Sequence, residues 1–178
     1  MKIDLSKLYG QIDKVFNFDG KIERDFSNIS TKEFKILEPI EYDGIIYQVG
    51  NSYMIDINIE YEYKTRCDRC LQETTKKMKT SLMGKLTNYE EIDQDSYNDD
   101  FNEDENGDDL IFYKNDILDV EEYVIMEVSS SLPMKTLCSE ECKGICPQCG
   151  INLNTEECDC ITEDIDPRFE KLKDLFKD

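Results

Sequence analysis

Histidine, tryptophan and alanine are all missing from these 178 residues. Without histidine the chain lacks the commonest general acid–base and the commonest nitrogen ligand for metals, so any chemistry falls to cysteine, carboxylates or lysine. Glycine numbers only 8 and proline 4, and no glycine-rich phosphate loop occurs. No run of about 18 apolar residues exists to span a bilayer. The opening Met1-Lys2-Ile3-Asp4-Leu5-Ser6-Lys7 carries charges where a secretory leader needs an apolar block. A cytoplasmic protein with no membrane contact is expected. With no serine or cysteine next to a histidine, no catalytic residue stands out, and we expect a non-enzyme with no small-molecule substrate. The length excludes a full barrel enzyme.

Basic residues are scarce in one half only. Residues 1–87 hold 14 acids and 14 bases, so the whole net charge of −20 falls on residues 88–178. Between Asn88 and Asp109 there are 11 acids and no Lys or Arg, including Glu90, Glu91, Asp99, Asp100, Glu103, Asp104 and Glu105. Such a run repels itself and buries too little apolar surface to offset its ordering entropy. It is expected to be a flexible loop, either a solvated spacer or a contact for a basic partner.

What is present first is a pattern of period two. Tyr53, Ile55, Ile57, Ile59, Tyr61 and Tyr63 alternate with largely polar residues, which predicts a strand with one buried face. Met78, Thr80, Leu82 and Leu86 alternate with Lys77, Lys79, Ser81 and Lys85, a second strand with a more basic outer face. Residues 34–40 and 45–49 flank Asp43-Gly44, a pair typical of turns, and Gly50-Asn51 precedes the long strand. Together these predict an antiparallel meander of at least four strands. From Asp119 the period changes. Val120, Val124, Val128 and Leu132 recur every four residues, with Asp119 as a cap, Glu121 and Glu122 in the first turn and Pro133 beyond the end. A helix covering the sheet is expected, and Asp166-Pro167 should open a short terminal helix. The fold class is α+β: a single domain over 1–178 with a sheet at 1–87, the acidic loop at 88–109, and a helix plus cysteine-rich tail at 110–178.

Residues 133–165 have little apolar content, so something other than a core must fold them. The eight cysteines supply it: Cys67-x2-Cys70 at the hairpin between the two strands, Cys138-x3-Cys142-x3-Cys146-x2-Cys149, and Cys158-x-Cys160. In a reducing compartment this density favours metal over disulfides. Cys146-Pro147-Gln148-Cys149-Gly150 has the form of a zinc knuckle, in which a tight turn points two thiolates at one ion. Structural zinc is expected, two ions for eight ligands, or one with some thiols free. Because closing short loops costs less, Cys146 and Cys149 pair with Cys158 and Cys160, leaving Cys67 and Cys70 with Cys138 and Cys142. The rival pairing joins Cys67 and Cys70 with Cys146 and Cys149. Closed four-sulfur sites leave no position for water, which disfavours hydrolysis. An iron–sulfur cluster of the radical type has its three-cysteine spacing at Cys142, Cys146 and Cys149 but no barrel after it. A thioredoxin-like pair would want a helix N-terminus that is not visible.

These motifs resemble the YceD family, the large ribosomal RNA subunit accumulation proteins of bacteria and plastids. The matching pieces are Leu37-Glu38-Pro39-Ile40, Arg66-Cys67-Asp68-Arg69-Cys70-Leu71, the block from Leu137 through Cys149-Gly150-Ile151-Asn152-Leu153-Asn154, and Asp166-Pro167-Arg168-Phe169. The resemblance implies a role in the synthesis, processing or stability of large-subunit ribosomal RNA, with no known enzymatic activity. Charge then separates two mechanisms. RNA binding needs Lys and Arg against phosphates, and a −20 chain repels RNA over most of its surface. The expected partner is therefore a ribosomal or other basic protein held by the acidic half. Direct contact with rRNA is the alternative, through Lys64, Arg66, Arg69, Lys76, Lys77, Lys79 and Lys85, with Tyr61 and Tyr63 nearby. A thiol-based redox sensor is a third reading.

Overall fold

The structure is a computed structural model and describes residues 1–8, 15–24, 26, 34–89 and 109–160. Glu90, Glu91, Asp99, Asp100, Glu103, Asp104 and Glu105 of the acidic run lie outside the described residues, as does the expected terminal helix after Asp166. The chain divides into two compact units, Met1–Thr65 with Thr74–Lys135, and Arg66–Glu73 with Thr136–Asp178.

The first unit is mostly sheet. Its strands are β1 (Lys2–Asp4), β2 (Phe16–Ile22), β3 (Lys35–Val49), β4 (Ser52–Arg66), β5 (Glu73–Asn88), β6 (Leu110–Tyr113) and β7 (Ile117–Asp119), followed by one helix, α1 (Val120–Ser130). Strands β2 to β6 form one sheet in chain order, and β1 pairs antiparallel with β7 in a second, two-stranded sheet. β2 with β3 and β3 with β4 are antiparallel. The alternation in β4 reflects one buried face, on which Ile55, Ile57 and Ile59 are completely buried, and Tyr61 and Tyr63 nearly so. Burying each such side chain is worth about 1.5–3 kcal/mol, so this strand anchors the core.

Three features depart from the sequence reading. Asp43-Gly44 is not a turn. β3 runs straight through it, with Asp43 opposite Asn58 and Gly44 opposite Ile57. The glycine is there for space, since a Cβ at this position would meet the Phe18 ring at 2.5 Å and the Asp56 carbonyl oxygen at 2.6 Å. The sheet also continues past the antiparallel strands, because β6 lies parallel to β5, Leu86 opposite Ile111 and Asn88 opposite Tyr113. A parallel neighbour cannot be joined by a hairpin, which is why the meander pattern does not reach β6. Asp119 occupies the N-cap position of α1 in extended conformation but makes no side-chain cap bond. Its carboxylate lies 3.9 Å from the Lys2 ammonium instead.

The helical stripe behaves as its period requires. Val120, Val124 and Val128 are fully buried in the same apolar cluster as Ile40, Ile55 and Ile59. The polar ends of neighbouring side chains are satisfied there, with Tyr61 and Ser131 hydroxyls 3.0 Å apart and the Thr80 hydroxyl donating to Glu127 at 2.5 Å. No described helix is long and apolar enough to cross a membrane.

The second unit has almost no core of the usual kind. Among its described residues the buried apolar side chains are Cys67, Cys70, Cys142 and Cys146, while Leu137, Ile151 and Leu153 are half-buried and Ile145 is exposed.

Candidate metal centres

Two short backbone devices bring the first set of thiols together. After β4 the chain turns at Cys67–Cys70, with the Leu71 N–H donating to the Cys67 carbonyl and the Cys67 N–H to Gln72. Asp68 then ties this turn to the later segment. Its N–H donates to the Thr136 carbonyl at 2.9 Å, and its carboxylate accepts from the Thr136 N–H at 2.6 Å. Cys138 and Cys142 arrive on the following turn. The second set is built around a narrow loop in which Cys146 N–H donates to the Ile151 carbonyl and Gly150 N–H to the Cys146 carbonyl. Gly150 takes φ +78, a conformation that side-chain-bearing residues rarely adopt.

The result is two groups of four sulfurs. Cys67, Cys70, Cys138 and Cys142 place their sulfurs within 4.8 Å of one another, and Cys146, Cys149, Cys158 and Cys160 do the same. The short-loop pairing is the one these distances form, and the set of Cys67, Cys70, Cys146 and Cys149 is not brought together. Individual separations are 3.8 Å for Cys67–Cys142, 3.6 Å for Cys70–Cys138, and 3.4 Å for both Cys149–Cys158 and Cys146–Cys158. A tetrahedral ion with metal–sulfur bonds of about 2.3 Å has its sulfurs about 3.8 Å apart. A disulfide would bring two of them to about 2.0 Å. Both groups therefore fit a tetrahedral, sulfur-preferring ion such as zinc, and neither is a pair of bridges.

The electrostatics agree with the distances. Burial alone would raise the Cys67 thiol, but backbone N–H groups of Cys70, Cys138 and Arg69 outweigh it and bring it down to about 6. In the second group the N–H groups of Cys149 and Gln148 bring Cys146 down to about 6. Their neighbours go the other way. The Gln72 N–H favours the Cys70 thiolate, yet burial and the Cys67, Cys138 and Cys142 thiols push it up to about 12. The Cys160 N–H likewise favours Cys158, which the surrounding thiols push up to about 12. Burial also raises the Cys142 thiol, but the Asn154 amide and the Gly144 N–H outweigh it and lower it, so each cage favours a thiolate at some sulfurs and resists it at others, and a cation would supply the missing charge. Four sulfurs around one ion would leave no coordination position for water, the arrangement typical of structural sites.

One further residue belongs to this arrangement. The Asn154 amide donates to the Cys142 sulfur at 3.4 Å and to Asn152 Oδ1 at 2.7 Å, and its oxygen accepts from the Lys143 N–H at 2.8 Å. It comes from the segment between Cys149 and Cys158 and so links the loop of the second group to a ligand of the first. Asparagine in a cysteine-rich loop reads as a turn former, and nothing in spacing alone marks it as a sulfur donor.

The basic residues of the hairpin region do not form one open patch. Lys77 lies 3.4 Å from Glu62, Lys79 pairs with Glu60, and Lys21 pairs with Glu41 at 2.6 Å. The order of the first two pairs also shows β4 and β5 running antiparallel. Arg69 donates through Nη1 to the Cys142 carbonyl at 3.0 Å, so its guanidinium braces the first group of thiols. Lys64, Lys76 and Lys85 are half-buried and Arg66 is exposed. Tyr61 and Tyr63 are core residues and are not available for stacking on bases.

Comparison with known proteins adds the following. The sequence model of the family described as large ribosomal RNA subunit accumulation protein YceD matches residues 55–176, more than half of the chain. An uncharacterized protein of Mycobacterium tuberculosis is 39% identical over 59 residues, covering 33% of this chain and 28% of that protein. A chloroplast protein of Arabidopsis thaliana, large ribosomal RNA subunit accumulation protein YCED homolog 1, is 33% identical over 58 residues, covering 33% of this chain and 18% of that protein. The aligned stretch thus spans under a third of either relative. No solved structure matches.

Proposed function

This chain belongs to the YceD family of large ribosomal RNA subunit accumulation proteins, and from that premise we propose that it is a zinc-stabilised, non-catalytic accessory factor of the cytoplasm in ribosome biogenesis. It supports accumulation or processing of large-subunit rRNA through a basic protein partner, a ribosomal protein by preference, that its acidic half engages. The observation that carries this reading is the distribution of charge. Eleven acids without a base lie between Asn88 and Asp109, while Lys77 and Lys79 of the basic strand already have carboxylates beside them. Filling the cages does not reverse the sign, since four thiolates around one divalent ion leave −2 at each. A surface of this kind steers a basic protein and repels phosphate.

Binding assays on the zinc-loaded protein test it. Basic large-subunit ribosomal proteins are expected to bind at low salt and to be released as salt rises, and a large-subunit rRNA fragment to bind weakly or not at all. Absence of affinity for any basic ribosomal protein at low salt would overturn the reading. The alternative, direct rRNA contact through Lys64, Arg66, Arg69, Lys76, Lys77, Lys79 and Lys85, predicts RNA affinity that collapses when Lys76, Lys77 and Lys79 are changed to Gln.

A further inference from the structure

The two groups of sulfurs differ in how far solvent reaches them. In the first, Cys67, Cys70 and Cys142 are buried and Cys138 is half-buried. In the second, Cys146 is buried, Cys158 and Cys160 are half-buried, and Cys149 is exposed. The supports differ in the same sense. The first group is braced between separate stretches of chain: Arg69 Nη1 donates to the Cys142 carbonyl at 3.0 Å, Asp68 and Thr136 exchange two hydrogen bonds, and the Asn154 amide reaches the Cys142 sulfur. The thiols of the second group are held by bonds local to their own loop, from the Cys146 N–H to Ile151, from the Gly150 N–H to Cys146, and from the Cys160 N–H to the Cys158 sulfur at 3.3 Å.

Exposure matters because a thiol that ligates a metal is already deprotonated, and the thiolate is the form that reacts. Susceptibility to oxidation follows thiolate character and access together, and a second thiol beside the first turns the product into a disulfide. Both conditions meet at Cys149. It is the exposed ligand, and the Cys158 sulfur lies 3.4 Å from its own, nine residues along the chain. Cys158 is equally close to Cys146, but Cys146 is buried. A disulfide needs its sulfurs about 2.0 Å apart, so this pair closes by a short movement within one loop.

We propose that Cys149 is a site of oxidation by hydroperoxides, with Cys158 as its resolving thiol, and that this reaction empties the second cage while the first keeps its ion. The Cys149 thiolate attacks one peroxide oxygen, the O–O bond breaks, and the departing hydroxide takes a proton to become water. The Cys158 thiolate then attacks the sulfur of the sulfenic acid so formed. The S–S bond forms, the S–O bond breaks, and a second hydroxide leaves as water with another proton. Two thiolates have given up two electrons, and hydrogen peroxide has become two waters. Cys146 and Cys160 remain as ligands where a closed site needs four.

The inference rests on the reading that the cages hold zinc. The test takes the full-length protein, loaded with two zinc ions per chain by elemental analysis, and adds hydrogen peroxide while a chromogenic chelator reads free zinc. One of the two ions should be released. Peptide mapping after alkylation should find the Cys149–Cys158 disulfide, and amide exchange should quicken at Cys146, Gly150 and Leu153 while Asp68 and Leu71 keep their protection. Dithiothreitol with added zinc should restore the starting state. Cys149→His keeps a four-ligand set of a kind that holds zinc but removes the attacking sulfur, so it should retain both ions under peroxide. Should that variant load only one ion, the order of disulfide formation in the unchanged protein decides. Peroxide that leaves both ions bound overturns the proposal and spares the zinc reading. So does release of both ions at one rate, a first disulfide between Cys70 and Cys138, or release from fully loaded Cys149→His as fast as from the unchanged protein. A chain that takes up no zinc on loading sinks both.

Discussion

Withholding metal should affect the two units differently. In the second unit the buried apolar side chains among the described residues are cysteines themselves, and its aliphatic residues are at best half-buried. Ordering a residue costs about 1–2 kcal/mol of backbone entropy, and four uncharged thiols return little of it. Zinc in such a cage supplies about 10–16 kcal/mol of apparent binding energy. The first unit has its own core in β4 and α1, where Ile55, Ile57, Ile59, Val120, Val124 and Val128 are completely buried. Chelation should therefore open one unit and spare the other. Hydrogen exchange reads this at single amides: the N–H groups of Asp68, Cys146, Gly150 and Leu153 each donate to a backbone carbonyl inside the second unit. Losing even about 4 kcal/mol lowers their protection by about a thousandfold, while amides of β3 and β4 keep theirs. Unchanged exchange at those four positions, with elemental analysis showing the metal gone, would refute the claim that thiolate cages hold the unit in shape.

Metal affinity should depend on pH in a definite direction. Cys67 and Cys146, at about 6, are thiolates at pH 7, whereas Cys70 and Cys158, at about 12, are not. Binding must displace protons, so calorimetry in buffers of different ionisation enthalpy should find proton release at pH 7, and affinity should already fall as pH drops through 7 and fall more steeply below about 6, where Cys67 and Cys146 protonate as well; pH-independent affinity would count against thiolate ligation. Asn154→Ala removes the donor to Cys142 and the acceptor for Lys143 N–H, and should weaken the first site by about tenfold, the lower end for partners of metal ligands; chelator competition measures it, and a loss confined to the Cys146 site would be contrary. Gly44→Ala forces a methyl against the Phe18 ring and the Asp56 carbonyl, which should cost about 1–3 kcal/mol and lower Tm by about 2–4 °C for each of those kcal/mol, as thermal melting reports.

How far the sequence alone carries depends on which force placed each residue. β4 is legible because burial on one face imposes strict alternation from Tyr53 to Tyr63, and α1 because a buried stripe imposes a spacing of four. The break expected at Asp43-Gly44 was a composition signal overridden by packing. Glycine there makes room for Phe18 and not for a turn, and that need is invisible until β2 is paired with β3. β2 and β6 are short or only partly buried, and their partners are set by long-range register. The grouping of thiols follows from loop-closure cost, which sequence spacing does report. Asn154 and the engagement of Lys77 and Lys79 with carboxylates depend on tertiary neighbours, about which spacing is silent.

The first cage draws its ligands from positions far apart in the chain, Cys70 and Cys138 being 68 residues from one another and Cys67 and Cys142 being 75. During synthesis at about 5–20 residues per second, the hairpin thiols must wait several seconds before the later pair emerges. For that interval they form a half-finished clamp, able to hold an ion by two points and exposed to any oxidant or competing metal in the vicinity. The other cage is contained in one short stretch, Cys146 to Cys160, and its first thiol follows Cys142, the last of the earlier set, so its ligands are never left waiting in this way.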